Sequence, residues 1–515
     1  MAKRTFIGLM AMVLFFALVF VATSSLAGTT ELVSVDSYGN PGNNACEHLS
    51  SISADGRYVA FASYATNLVP GDTNGVNDIF VHDRQTGITE RVSVDSYGNQ
   101  SNNGSLWLAI SANGRYVAFT SWANNLVAGD TNGGPDIFVH DRQTRVTERV
   151  SVDSIGNQAN PESASPAMSY PSISADGRYV AFVSGATNLM PDDTNGVNDI
   201  FVHDRQAGIT ERVSVDSSGN QANNHSSRVF ISAGGRYVAF ASSATNLVPE
   251  YFGGVNIFVH DLQTGITELV SKNANGESSN GGSFPVNLSI STDGRYVAFD
   301  SLASNLILGD ADYYTQWAMD TWDVFVYDRQ ASEITRISDI NTYSSSPSIS
   351  ADGRYVAFVS YFQVFAHDRQ TGITELVSVD SSGNLIGGGY WPSISADGRY
   401  VAFASDGNLV QEDTNPSRDI YVRDRGPSLP KTIDGAIIVI EELLGMGEIT
   451  NAGIATNLTS TLENALKAQE QSNIYAAKNI LLAFINKVEA QTGKNITEES
   501  ATFLIEAARQ LMDKM

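Results

Sequence analysis

Ile52-Ser-Ala-Asp-Gly-Arg-Tyr-Val-Ala-Phe61, followed by Asp78-Ile-Phe-Val-His-Asp-Arg-Gln85, is one unit that the chain writes seven times, with small variations, before residue 425. Repetition at a fixed period decides architecture before any single residue does. The glycines that index the copies are Gly56, Gly114, Gly177, Gly235, Gly294, Gly353 and Gly398, spaced 58, 63, 58, 59, 59 and 45 residues apart. A four-stranded propeller blade takes about 40–45 residues, so the sixth copy is nearly a bare blade and the others carry insertions.

Each copy supplies four strands. Leu49–Ser53 and Tyr58–Ser63 flank Ala54-Asp55-Gly56-Arg57. An Asp-Gly between two such runs predicts a type I′ hairpin, with positive φ at both central residues. The copies place only Asp, Asn or Gly before the glycine (Asn113, Asp176, Gly234, Asp293, Asp352 and Asp397), as that turn would require. Asp78–His82 is the third strand, and Ile88–Ser93 is the fourth. Tyr58, Ala60 and Ala62 alternate with Val59 and Phe61, a pattern suited to a sheet packed on both faces.

The seventh copy stops at Asp419–Arg425 without a fourth strand. The missing piece stands near the N-terminus: Thr30–Asn40 matches Thr89–Asn99 almost letter for letter. A fourth strand supplied from there closes a ring and removes two exposed sheet edges. The expectation is an all-β, seven-bladed β-propeller over residues 28–425, with a small all-α domain behind it.

The copies resemble TolB-type propeller repeats, relatives of the WD-repeat blades, over roughly residues 29–425. They depart from that family's Pro-x-Trp-Ser-Pro-Asp-Gly by reading Ile-Ser-Ala-Asp-Gly, and the proline survives only at Pro171, Pro347 and Pro392. Gly426–Pro430 reads as a linker, within 426–431. Beyond it the period becomes helical: Ile454, Leu458, Leu462 and Leu466, then Ala477, Leu481, Ile485 and Val488. Gly445 and Gly493 mark helix ends and Thr497 a capped start, so four short helices are expected in 432–515. Ile449–Ile454 and Phe484–Lys494 resemble the FIMAH domain, which implies an accessory or attachment module.

Residues 1–27 carry Lys3 and Arg4, an apolar run from Phe6 to Ala22 and a Ser25-Leu26-Ala27 cleavage site. That is the pattern of a secretory signal peptide, and no other stretch is long enough to span a bilayer. The expected location is secreted, extracellular or periplasmic. Loss of Lys3 and Arg4 with the leader takes the net charge from −25 to −27. Such acidity opposes nucleic acid and anionic lipid as partners and favours solubility and divalent cations. The lone Cys46 has no partner for an intramolecular disulfide.

The loops between second and third strands, and between blades, emerge on one face and are long, so ligands are expected there. The first kind repeats Asp-Thr-Asn-Gly-x-x-Asp: Asp72/Asn74/Asp78, Asp130/Asn132/Asp136, Asp193/Asn195/Asp199 and, as a variant, Asp413/Asn415/Asp419. Oxygen ligands at positions 1, 3 and 7 suit Ca2+, although Asp and Asn also simply brace turns. No organic cofactor is implied. His82, His140, His203, His260 and His367 recur at one strand position, with Tyr327 and Arg423 elsewhere, and read as hydrogen-bonding residues between blades.

A unique site should break the repeat. The fifth blade does so with Asp310–Asp323, where Tyr313, Tyr314, Trp317 and Trp322 stand near Asp310 and Asp312, a set suited to holding a sugar or to packing over a neighbour. No catalytic residue is assigned, and no nucleophile elbow, zinc-protease motif or phosphate loop is present. The leading reading is a non-catalytic binding or scaffold propeller engaging a protein or carbohydrate. A propeller lyase or hydrolase and a cell-surface structural protein are the alternatives.

Overall fold

The computed structural model describes residues 28–160, 170–249, 254–280, 288–307, 322–339, 342–426, 433–445, 447–471, 473–513 and 515. The proposed leader and most of the linker lie outside these residues. So do Asp310, Asp312, Tyr313, Tyr314 and Trp317. The described chain divides into a β unit, residues 30–424, and a helical unit after it.

The β unit contains seven antiparallel sheets of four strands. In blade 1, β2 (Cys46–Ile52), β3 (Tyr58–Ser63), β4 (Asp78–Asp83) and β5 (Ile88–Arg91) lie in that order. In blade 7, β26 (Gly389–Ile394), β27 (Tyr400–Ser405) and β28 (Asp419–Asp424) are completed by β1 (Thr29–Leu32). The strand from the N-terminus therefore closes the ring, as the displaced Thr30–Asn40 copy predicts. Strands β3 and β4 are buried at nearly every residue, on both faces. Small Ala60 and Ala62 let neighbouring sheets approach, and Phe61 stacks on Phe80 at 5.9 Å.

First strands of successive blades touch one another all the way round, so they line the axis while fourth strands form the rim. Ala54 N–H donates to Ala112 O (2.9 Å), and Ala396 N–H to Ala54 O (3.0 Å), the same bond across the closing junction. The indexing glycine is required twice over. Gly56 has φ 73°, and a Cβ there would lie 2.1 Å from the ring of Tyr400 in the preceding blade. That ring is sandwiched by Arg84 and Arg399, at 4.5 and 4.9 Å.

The hairpin itself differs from the type I′ expectation. Only the glycine of each Asp-Gly pair has positive φ. Gly56 N–H donates to Ser53 O, and Asp55 Oδ1 accepts from Arg57 N–H and Ser53 Oγ. The preceding Asp or Asn is thus a side-chain acceptor that braces the turn, and its identity has nothing to do with left-handed φ.

The rim is also capped. Ser37 Oγ takes Thr89 N–H (3.0 Å) and faces Thr89 O (3.4 Å) on the outer edge of β5. Ser96, Ser154 and Ser217 repeat this on the following blades, and Ser381 caps Thr30 on β1. In these five blades the interblade segment therefore satisfies the open strand edge that invites aggregation, whereas Ala274 stands at the serine position before blade 5.

The helical unit comprises α1 (Ile433–Gly445), α2 (Ala452–Glu470), α3 (Ile474–Gln491) and α4 (Glu498–Asp513). Asn451, Asn473 and Thr497 accept first-turn N–H groups as N-caps. Leu443, Leu458, Leu462, Leu481, Phe484 and Val488 form its core. Among the described residues no helix is long and apolar enough to cross a membrane.

Candidate functional site

The repeated polar residues are consumed by the scaffold. Arg57 chelates Asp83 with two 2.7 Å hydrogen bonds, which hold that carboxyl well below its ordinary range. His82 Nδ1 lies 2.9 Å from Thr89 Oγ1, and that hydroxyl donates to Val35 O of the neighbouring segment. The histidine therefore donates within its own blade, where an interblade bond was expected; it is the threonine hydroxyl that reaches the neighbouring segment, and burial lowers the histidine pKa. Arg423 replaces it at the closing junction, donating to Thr30 Oγ1 (3.0 Å).

In the Asp-Thr-Asn-Gly-x-x-Asp loops an arginine stands between the two carboxylates. Arg91 Nη1 lies 3.3 Å from Asp72 and 3.2 Å from Asp78. Arg149 sits likewise between Asp130 and Asp136 (both 3.4 Å), and Arg212 between Asp193 and Asp199 (both 3.8 Å). Asn74, Asn132 and Asn195 turn their amides to Asp78, Asp136 and Asp199. Among the described residues no three His, Cys, Asp or Glu side chains are arranged to hold a metal. One guanidinium thus offsets one of the two carboxylate charges at each of these sites in blades 1–3. Blade 7 departs: Asp413 and Asp419 remain buried, but Leu32 occupies the arginine position. Tyr421 OH donates to Asp413, while Ser34 Oγ (2.6 Å) and Asn415 Nδ2 (2.8 Å) donate to Asp419. Burial pushes Asp419 up to about 6. It also pushes the buried Cys46 thiol up to about 12, with Asp419 adding to the effect, so that thiol stays protonated.

Of the fifth-blade set only Trp322 is described. It is half-buried, and its carbonyl accepts from Ser344 N–H (2.7 Å).

A different feature breaks the repeat inside the described ring. Seven residues before each indexing glycine the copies read Leu49, Trp107, Tyr170, Arg228, Asn287, Ser346 and Trp391; all but Asn287, which lies outside the described residues, stand on or just before the axial first strand near its long-loop end. The residue closing each second strand is just as varied: Tyr64, Trp122, Gly185, Ser243, Leu302, Tyr361 and Asp406. Both positions belong to the mouth of the ring on the long-loop face.

The backbone there is strained. Trp107, Arg228, Ser346 and Trp391 adopt φ of 40°, 46°, 57° and 41°, at irregularities in the first strands of blades 2, 4, 6 and 7. Bulky residues at positive φ cost of order 1–3 kcal/mol each and persist where the surroundings impose them, often at functional sites. In blade 6, where the loop is lost, Tyr361 and Phe362 form a two-residue turn with φ 46° and 61°. The type I′ geometry occurs here, in residues that disfavour it, with Phe362 64% exposed.

Two aromatic groups result. Trp107 packs on Trp122 (5.5 Å) and Tyr170 (5.4 Å), and Arg228 lies 3.9 Å over Tyr170. Across blades 6 and 7, Tyr390 contacts Phe362 (6.3 Å) and Trp391 (6.1 Å). Arg418 is 5.5 Å from the Tyr390 ring and hydrogen-bonds Asp406 (2.8 Å). Burial and the Asp406 hydrogen bond raise the Tyr390 pKa. Sequence reading passed over this mouth because it sought long insertions. The signal was the variability of the first strand beside three near-identical ones.

Residues 433–513 match the FIMAH domain family. The four helices are the part of the chain that carries this match, and no curated protein matches the chain. Solved structures similar to it include TolB from Acinetobacter baumannii, at 17% identity and TM-score 0.33, over 57% of this chain and 54% of that one. The match thus spans just over half of that protein. A putative TolB from Agrobacterium tumefaciens is 17% identical over 61% of this chain and 90% of that chain, with TM-score 0.34. An oligogalacturonate lyase in complex with manganese is 12% identical over 77% and 96%, with TM-score 0.45.

Proposed function

We propose that the chain is an exported binding propeller whose ring presents a ligand site, for a protein or a glycan, at the mouth on its long-loop face. The observation that carries this reading is the placement of variability. Copies that are near-identical through their second, third and fourth strands diverge along the first, where Leu49, Trp107, Tyr170, Arg228, Ser346 and Trp391 stand around one opening. Diversity at equivalent positions of a symmetric scaffold creates a single asymmetric site, and aromatic and arginine side chains, here half-buried, are the residue types that dominate binding. The opposite face offers only the short Asp-Gly and Asp-Arg-Gln turns, whose polar groups are engaged within the ring. The FIMAH unit serves as the accessory module.

The test is a glycan and protein ligand screen with the full chain, repeated with Trp107→Ser and Trp391→Ser. Serine is what blade 6 carries at this position. Loss of the captured ligand with an unchanged melting temperature supports the mouth as the site. Capture unaffected by both substitutions refutes it, and consumption of a captured glycan replaces binding with catalysis.

A further inference from the structure

Arg228 is unlike the other arginines of the ring. The scaffold arginines pair with carboxylates: the Arg57 type with the Asp83 type, the Arg84 type with the Glu31 type, the Arg91 type with two aspartates. Arg228 occurs once, and no carboxylate or hydrogen-bond acceptor among the described residues meets its guanidinium. Its one contact is the face of Tyr170, at 3.9 Å the shortest of the cation–ring contacts. Stacking engages the face of a guanidinium and leaves its in-plane fork of N–H donors unused. That fork matches a carboxylate bidentately. Among the described residues Arg369 and Arg423 also lack a carboxylate, but each donates to an oxygen of the ring, so Arg228 alone presents a half-buried guanidinium open to an acid that arrives from outside.

We infer that the mouth between blades 2 and 4 binds a carboxylate-bearing sugar, a short acidic oligosaccharide, with Arg228 on the carboxylate and Tyr170, Trp107 and Trp122 as the apolar floor. This rests on the mouth being the ligand site. The three rings form one continuous strip leading away from the guanidinium, with neighbours 5.4 and 5.5 Å apart. A pyranose offers such a strip its C–H face while its ring substituents point outward, and one carboxylate satisfies the fork. Strand addition by a peptide is disfavoured here because the nearby N–H groups are taken: Ile231 by Ser172 Oγ (3.0 Å) and Ile110 by Ser51 Oγ (3.2 Å). Polyanions drawn by bulk charge, such as nucleic acid, are opposed by the negative field of the molecule, so recognition is local and limited to a short ligand.

The experiment titrates the full chain with uronic-acid trisaccharides, with the same trisaccharides after carboxyl reduction, and with hexaglutamate, reading tryptophan fluorescence and calorimetry. Saturable quenching by at least one uronic-acid trisaccharide is expected, weakened tenfold or more by carboxyl reduction. Arg228→Gln should weaken it tenfold or more at an unchanged melting temperature, and Arg228→Lys should recover only part, because an ammonium has no bidentate fork. Trp122→Ser, with the residue blade 4 carries there, should weaken charged and reduced sugars alike. Equal binding of charged and reduced sugars, or indifference to Arg228→Gln, overturns the inference while leaving the mouth as a binding site. Binding of hexaglutamate and of no sugar overturns it in favour of an acidic protein partner. Absence of any binding at the mouth in this panel and in the broader screen removes both readings together.

Discussion

Replacing Asp419 by Asn should flatten the pH dependence of propeller stability above pH 5. Asp419 is fully buried on the blade that joins the two ends of the ring, and its sibling sites carry an arginine that it lacks. The titratable groups around it are Asp413, Tyr421 and Cys46, none of them positive. Burial raises its pKa to about 6. A folded-state pKa above the unfolded value means that the native state holds the proton more tightly. Its stabilising contribution is therefore fully present below about pH 4 and is lost as pH rises through 6. Integrating between pH 5 and 7.5, with an unfolded value near 3.9, gives a loss on the order of 1 kcal/mol. Burial raises Asp199 to about 6 as well, and it should contribute a similar decline. Below pH 4 the trend reverses, because Asp83, Asp141 and Asp261 are held low by Arg57, Arg115 and Arg236 and lose those pairs on protonation. Stability should thus peak near pH 4. Blade 4 shows that Asn is accommodated: Asn256 Oδ1 accepts from Ser271 and Ser279 at 2.6 and 2.7 Å. The assay is urea unfolding of wild type and Asp419→Asn at pH 5.0 and 7.5. The variant should lack the part of the wild-type decline, on the order of 1 kcal/mol, that Asp419 contributes, whatever its absolute stability. An identical decline in both proteins refutes the assignment.

Three further outcomes follow from the ring. Gly56→Ala should cost roughly 2–4 kcal/mol, from positive φ plus the collision with Tyr400, whereas Gly87→Ala, at φ 71° with open space, should cost only about 1; equal losses in thermal melts would contradict the stacking role. Deleting residues 29–37 should expose the edges of β28 and of the first blade's rim, lowering the melting temperature or causing aggregation; an unchanged melt would argue against closure by β1. Chelator and added Ca2+ should give superimposable melts if Arg91, Arg149 and Arg212 supply the balancing charge; stabilisation by Ca2+ that disappears in Asp72→Ala, Asp130→Ala and Asp193→Ala together would reinstate calcium.

Blade number, ring closure and the helical tail were legible because each rests on a period or on a displaced copy. The extra Thr30–Asn40 segment was as informative as the repeats themselves. Turn chemistry was less legible: Asp and Asn favour left-handed φ and side-chain bracing alike, and only coordinates separate the two. Charge balance was missed for a related reason. The Asp-Thr-Asn-Gly-x-x-Asp pattern names oxygen donors but is silent about Arg91, which arrives from the last residue of the fourth strand. The binding mouth was hidden because the residues that line it are one per blade and about 60 residues apart in the chain. They become neighbours only when the blades close.

The account stands or falls on where a ligand touches the ring, and oxidative footprinting of the full chain with and without the sugar or protein that it captures measures this. Protection should appear at Trp107, Trp122, Tyr170 and Trp391 and leave Tyr38 and Tyr97, both over 90% exposed on the rim, unchanged. Protection confined to those rim tyrosines, or to Tyr58 and its equivalents beside the short turns, would contradict it.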